Sequence, residues 1–138
     1  MIKLVKVPEE VKAVFTDHRT IALGTCTRDG VPNTVFIGSW WWRDDETILV
    51  VDNFFNKTRR NLEENPVASL VVWDRIKRAS YQLKCSATIH TEGKDYEEAF
   101  KAERSRTDFY YPCKAIVLLS VDEVYHAMYG EGAGDRIV

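Results

Sequence analysis

Residues 48–73, ILVVDNFFNKTRRNLEENPVASLVVW, read as a strand, a helix start that faces an anion, and a second strand, all within 26 residues. Ile48, Leu49, Val50 and Val51 form a β-branched and aliphatic run that packs on a pleated sheet, and Asp52-Asn53 ends it with turn chemistry. Asn56 stands where its side-chain carbonyl can cap a helix from Lys57 to about Glu64. Asn65-Pro66 closes that helix, because the residue before proline leaves the α region and proline cannot continue the ladder. The helix charges run in the unfavourable order. Lys57, Arg59 and Arg60 open it and Glu63 and Glu64 close it, a reversal that costs roughly a few tenths of a kcal/mol per charge unless something negative sits above the helix start. A phosphate held by first-turn amides, by Lys57 and by donors from Thr58 and Asn61 would remove that cost. A solvated helix with Arg59/Glu63 and Arg60/Glu64 pairs, worth about 0.2–0.5 kcal/mol each, is the alternative. Spacing leaves both open.

The length of 138 residues fits one domain over residues 1–138, large enough to bury roughly two thirds of its unfolded surface. A net charge of −2 and a pI near 5.9 give no electrostatic footprint for a phosphate backbone, so no nucleic-acid partner is expected and any basic site must be local. Cys26, Cys85 and Cys113 are odd in number and irregular in spacing, which fits neither a disulfide framework nor a metal clip. Acids at Glu9 and Glu10 interrupt the first apolar stretch, and no run approaches 18 apolar residues; the expectation is a cytoplasmic protein with no membrane partner.

Along the chain, Pro8-Glu9-Glu10 opens a short helix that places Val11, Val14 and Phe15 on one face. Thr20 to Thr27 is predicted as a strand, Arg28-Asp29-Gly30 as a hairpin turn, and Val31 to Trp41 as one returning strand. From Ala79 to Glu92 the sequence alternates: Tyr81, Leu83, Cys85, Ala87 and Ile89 face one way, and Gln82, Lys84, Ser86 and Thr88 the other. Lys94 to Glu103 reads as a second amphipathic helix with Tyr96, Ala99 and Phe100 on one side. Phe109, Tyr110 and Tyr111 fall in a loop, Lys114 to about Tyr125 is the last strand, and the glycines at Gly130 to Gly134 suggest a loose tail. Six strands joined mainly by short turns, with two or three short helices, predict an antiparallel barrel that is mainly β.

The segment VVDNFFNKTRRNLEENPVASLVVW, with Lys57-Thr58 at a helix start and Leu62-Glu63-Glu64-Asn65-Pro66 at its exit, resembles the centre of the FMN-binding split barrels. That group includes pyridoxamine 5'-phosphate oxidase and a very small bacterial FMN-binding protein. Matching spacing extends from about Thr20 through Val121. The resemblance implies a six-stranded antiparallel Greek-key split β-barrel, FMN as cofactor, and a homodimer with two cofactor sites along its seam. It lays Phe36, Ile37, Gly38, Ser39 and Trp40 along the flavin ring and ribityl chain, and sets Gln82 and Lys84 near the ring. In the same arrangement the backbone of Asp52 and Asn53 meets the imide edge and that of Val51 and Asp52 helps hold the ring and chain, while Lys57, Thr58 and Asn61 hold the phosphate.

The residue types allow those roles and others. Gly38 serves equally as a barrel bend or as a close approach for a flat ligand, and Ser39 offers a hydroxyl. A cation such as Lys84 beside a flavin would stabilise the anionic reduced ring; on a barrel exterior it would only be solvated. Trp40, Trp41 and Trp42 cannot all enter one core, since strand residues alternate, so at least one indole is expected to need another partner, a flavin ring or a second subunit, unless one is buried and one caps an edge. The oxidases carry an arginine and a lysine on this strand where Phe36 and Trp41 stand here, so that reaction is not expected. No metal-ligand, serine-hydrolase or P-loop pattern occurs, and His18, His90 and His126 read as surface or satisfied side chains.

These readings converge on an FMN-binding flavoprotein, an oxidoreductase or electron carrier that works through flavin N5 with a small-molecule or protein redox partner. The rivals are a non-catalytic binder of FMN, haem or a deazaflavin, and an OB-like barrel that binds single strands through Trp40 to Trp42 and Arg75 to Arg78.

Overall fold

The computed structural model describes residues 5–138. In chain order its elements are α1 (Glu9–Thr16), β1 (Ile21–Cys26), β2 (Pro32–Ile37), β3 (Trp40–Trp42), β4 (Thr47–Asp52), α2 (Lys57–Glu64), β5 (Val67–Asp74), β6 (Ala79–His90), α3 (Lys94–Arg104) and β7 (Ala115–His126). The described strands form one antiparallel sheet of seven, in the order β2-β1-β5-β6-β7-β4-β3. The count is seven and not six because the stretch expected as one strand from Val31 to Trp41 is broken at Gly38-Ser39. Ile37 ends one edge of the sheet, and Trp40 begins the other. Three residue steps span at most about 11 Å, whereas six flat strand spacings would hold the edges about 29 Å apart. The sheet must therefore curl until its edges nearly meet, which makes the fold a split barrel closed by a two-residue link.

Alternation along the strands decides what the curl encloses. Leu83, Cys85 and Ala87 of β6 turn inward with Val117, Leu119 and Val121 of β7 and Ile48 and Val50 of β4. α1 contributes Val11, Val14 and Phe15 to that core, where Phe15 meets the rings of Trp40 and Trp42 edge-on at 6.5 and 6.1 Å. The outward residues Leu49 and Val51 of β4 and Ile116 of β7 are covered by Tyr96, Ala99 and Phe100 of α3. β4 is accordingly buried at every position, as its unbroken apolar run anticipates.

This layering corrects the expectation for the three indoles. Trp40 and Trp42 enter the main core, and Trp41, on the opposite face, packs into the cluster under α3. The chain itself supplies each with a partner, because α3 covers a face that the sequence pattern left open. Trp40 is buried, and Trp41 and Trp42 are half-buried on opposite faces of β3.

Two local expectations also change. Asn56 makes no cap; its carbonyl accepts from Arg60 Nη1 at 2.9 Å, and Asp52 organises the approach to α2 by accepting the Phe55 N–H at 3.0 Å. The glycine-rich tail is not loose. His126 N–H donates to Asp135 O at 2.9 Å and Ile137 N–H to Val124 O at 2.7 Å, which pins the tail along β7. Among the described residues, no helix is long and apolar enough to cross a membrane.

Candidate functional site

A cleft of about 500 Å³ lies where the two sheet edges approach each other. One wall is β2, with Asn33, Val35, Phe36 and Ile37; the floor is the Gly38-Ser39 link with Val51; the far wall is the loop from Asn53 to Asn56 and the first turn of α2, Lys57 and Thr58. Arg19, Arg106 and Tyr111 complete it. A volume in this range and an apolar lining with a few convergent polar groups suit a small molecule.

The link is rigidly held. Ser39 O accepts the Val51 N–H at 2.9 Å, which fixes it to β4. Arg19 Nη1 donates to the carbonyls on either side, Gly38 O at 3.1 Å and Trp40 O at 2.8 Å, while the Trp40 indole donates back to Arg19 O at 2.8 Å.

At the α2 end the charges separate. Arg59 turns inward to Asp52, 2.8 Å away and buried, and also meets Glu63 at 3.3 Å; the Asp52 hydrogen bond is the main reason its guanidinium stands above its ordinary pKa. Arg60 is held by Asn56. Part of the reversed charge order is therefore answered by the protein's own Asp52. Lys57 is the exception: it is exposed, lines the cleft, and makes no ion pair among the described residues. Behind it lies a buried polar cluster in which Asn33 Nδ2 donates to Thr58 Oγ1 at 3.0 Å and Asn61 Nδ2 to Thr25 Oγ1 at 3.1 Å.

At the other end, Glu103 is almost wholly buried. Its Oε2 accepts from Asn53 Nδ2 at 2.7 Å and its Oε1 from Arg106 Nη1 at 3.4 Å. Asn53 and Arg106 both reach Ser39 Oγ, at 3.2 and 3.0 Å. Arg106 also donates to the Tyr111 hydroxyl at 2.8 Å, with its guanidinium 3.5 Å from the ring centre. Partial burial pulls the Arg106 pKa down, but Glu103, Tyr111 and Asp108 outweigh it and leave it raised. Tyr111 donates to Asp108 at 2.6 Å, which holds the Asp108 carboxyl below its usual range and lifts the phenol. Burial pushes the nearby Cys113 thiol up to about 11.

Of the residues singled out from sequence, the structure gathers Ile37, Gly38, Ser39, Val51, Lys57 and Thr58 around this cleft. Five others lie off it. Trp40 is buried in the core, and Asp52 is turned to Arg59. Asn61 is buried beneath the cleft against Thr25. Lys84 lines a separate groove with Gly24, Ser69 and Glu123 on the open sheet face, and Gln82 sits two residues from it on the same strand face. Within one chain, then, Gln82 and Lys84 do not line this cleft, since β6 is three strands from β2 in the sheet order. Sequence reasoning missed Arg19, Asn33, Phe54, Phe55, Arg106 and Tyr111. The aromatic loop around Phe109 to Tyr111 was visible, but nothing local could bring it to Ser39, which is 67 residues from Arg106.

A curled antiparallel sheet whose seam, helix start and loop enclose a cationic, aromatic-rimmed cleft defines a split-barrel protein. The family model described as pyridoxamine 5'-phosphate oxidase matches residues 7–126, and the chain belongs to that family. An uncharacterized protein of Methanocaldococcus jannaschii is 31% identical over 137 residues, covering 97% of this chain and 89% of that one. The crystal structure of HupZ from Group A Streptococcus superposes with a TM-score of 0.79 at 27% identity, over 93% of this chain and 99% of that one. An FMN-binding protein of Syntrophomonas wolfei shares the fold, with a TM-score of 0.67 at 16% identity over 86% and 83% of the two chains.

Proposed function

We propose that this protein binds FMN in the cleft and serves as a flavoprotein oxidoreductase or electron carrier, acting as a homodimer in the cytoplasm. The observation that carries the reading is Lys57: an exposed cation with no ion pair among the described residues, on the first turn of a helix with no acid there, opening into the same cleft as Ser39. Free helix-start amides and a lysine favour a phosphate. The donor set fits FMN. Lys57 and Thr58 would hold the phosphate end, Val35, Ile37, Val51 and Phe55 supply apolar walls for a flat ring, and Ser39 meets a polar edge. When bound, FMN supplies hydride and electron transfer, so the protein's part is to bind, orient and exclude water. Asn61 would act behind Thr58, through the buried cluster, and not on the ligand. Gln82 and Lys84 would reach a flavin only across a dimer seam.

The homodimer reading rests on the open sheet face. Phe36, Val67, Val71 and Trp73 project from β2 and β5, the two strands that flank β1, and remain exposed, a patch of the kind that marks an association surface.

Fluorescence titration with FMN tests the reading. Wild-type protein is expected to quench the flavin on binding, and Lys57→Ala to weaken the affinity at least about tenfold, which is about 1.4 kcal/mol, with an unchanged melting temperature. Equal affinities would remove the phosphate assignment.

A further inference from the structure

We infer that Ser39 is an obligate hydrogen-bond donor to the ligand, and that Glu103, acting through Asn53 and Arg106, is the positioning residue that makes it so. The inference rests on the cleft being the flavin site and adds which kind of ligand atom the site selects.

A serine hydroxyl has two lone pairs and one proton. Both lone pairs of Ser39 are engaged, one by Asn53 Nδ2 at 3.2 Å and one by Arg106 Nη1 at 3.0 Å. Those two donors cannot reverse. Arg106 has no acceptor to offer. Asn53 is fixed end for end, because its Oδ1 accepts the Cys113 N–H at 2.9 Å and its amide nitrogen faces the buried Glu103 carboxylate at 2.7 Å. Both Glu103 oxygens accept here, Oε2 from Asn53 and Oε1 from Arg106, so Glu103 sets the polarity of the whole chain of bonds and also draws in the Arg106 guanidinium. What Ser39 has left is its proton. No acceptor among the described residues takes it, and the half-buried Ser39 forms part of the cleft floor. The ligand atom opposite Ser39 must therefore carry a lone pair, as a carbonyl oxygen or an unprotonated ring nitrogen does. A ring N–H or a hydroxyl proton in that place would face a second donor.

The test compares wild type, Ser39→Ala, Glu103→Gln and the double variant, with FMN as the probe. Each single change is expected to raise the Kd about tenfold and to shift the absorption maximum of the bound flavin, and the double variant is expected to match Ser39→Ala, because Glu103 acts through the serine. Losses that simply add, or a Ser39→Ala protein with wild-type affinity and spectrum, would overturn the inference. The Asn53 side-chain amide gives a readout without ligand: its two N–H resonances should exchange slowly, one shifting in Ser39→Ala and the other in Glu103→Gln. That pattern in a wild-type protein that takes no FMN overturns the flavin reading and leaves the network standing. Resonances unmoved by either change overturn the network itself. Ser39→Ala removes one oxygen at the cleft floor and carries the test alone if Glu103→Gln does not fold.

Discussion

Phe15→Ala is expected to destabilise the fold by about 3–5 kcal/mol, the range for truncating a fully buried aromatic residue, and to lower the melting temperature on the order of 10–20 °C for a chain of this size. Phe15 is wholly buried on α1 and is the ring against which Trp40 and Trp42 pack edge-on. Losing it removes its own transfer free energy, two aromatic contacts, and the fit of α1 in the mouth of the barrel. Trp40 and Trp42 both lose the ring they pack on, so native tryptophan emission should change in the same variant. A loss below about 1 kcal/mol in urea titration would mean that α1 is not docked as described.

Asp52→Ala is the second large effect, expected to cost about 3 kcal/mol. Its carboxylate is 1% exposed and has two obligations: Arg59 Nη1 at 2.8 Å and the Phe55 N–H at 3.0 Å. Removing it leaves a partly buried guanidinium with only the exposed Glu63, and a backbone donor with nothing; breaking such a pair from one side is the costly way to break it. Asp52→Asn keeps an acceptor for Phe55 and loses the charge, so it should fall between wild type and alanine. Because Phe55 and the first turn of α2 wall the cleft, Asp52→Ala should weaken FMN and lower the urea midpoint together, whereas Lys57→Ala should touch affinity alone. Full stability in Asp52→Ala would show that the Arg59 contact contributes nothing to holding α2.

The barrel was largely legible in the chain, and the cleft only in part. Gly38 and Ser39 could be suspected from residue type, but their role as the link between opposite sheet edges could not, because edge order is a property of seven strands together. Arg59 and Lys57 look alike in sequence. One is spent on Asp52 inside the protein, and the other faces the cleft.

Local chemistry belongs to the sequence. The alternation over Ala79–His90, the stop at Asn65-Pro66 and the unbroken apolar run of β4 determined strands and helix ends directly, since backbone sterics and side-chain periodicity act over a few residues. Which charges are answered from within, and which donors converge on Ser39, only the closed sheet decided. Glu103 and Asn53 are 50 residues apart, and the energy of burying a carboxylate depends on which partners the fold delivers, a quantity with no local signature.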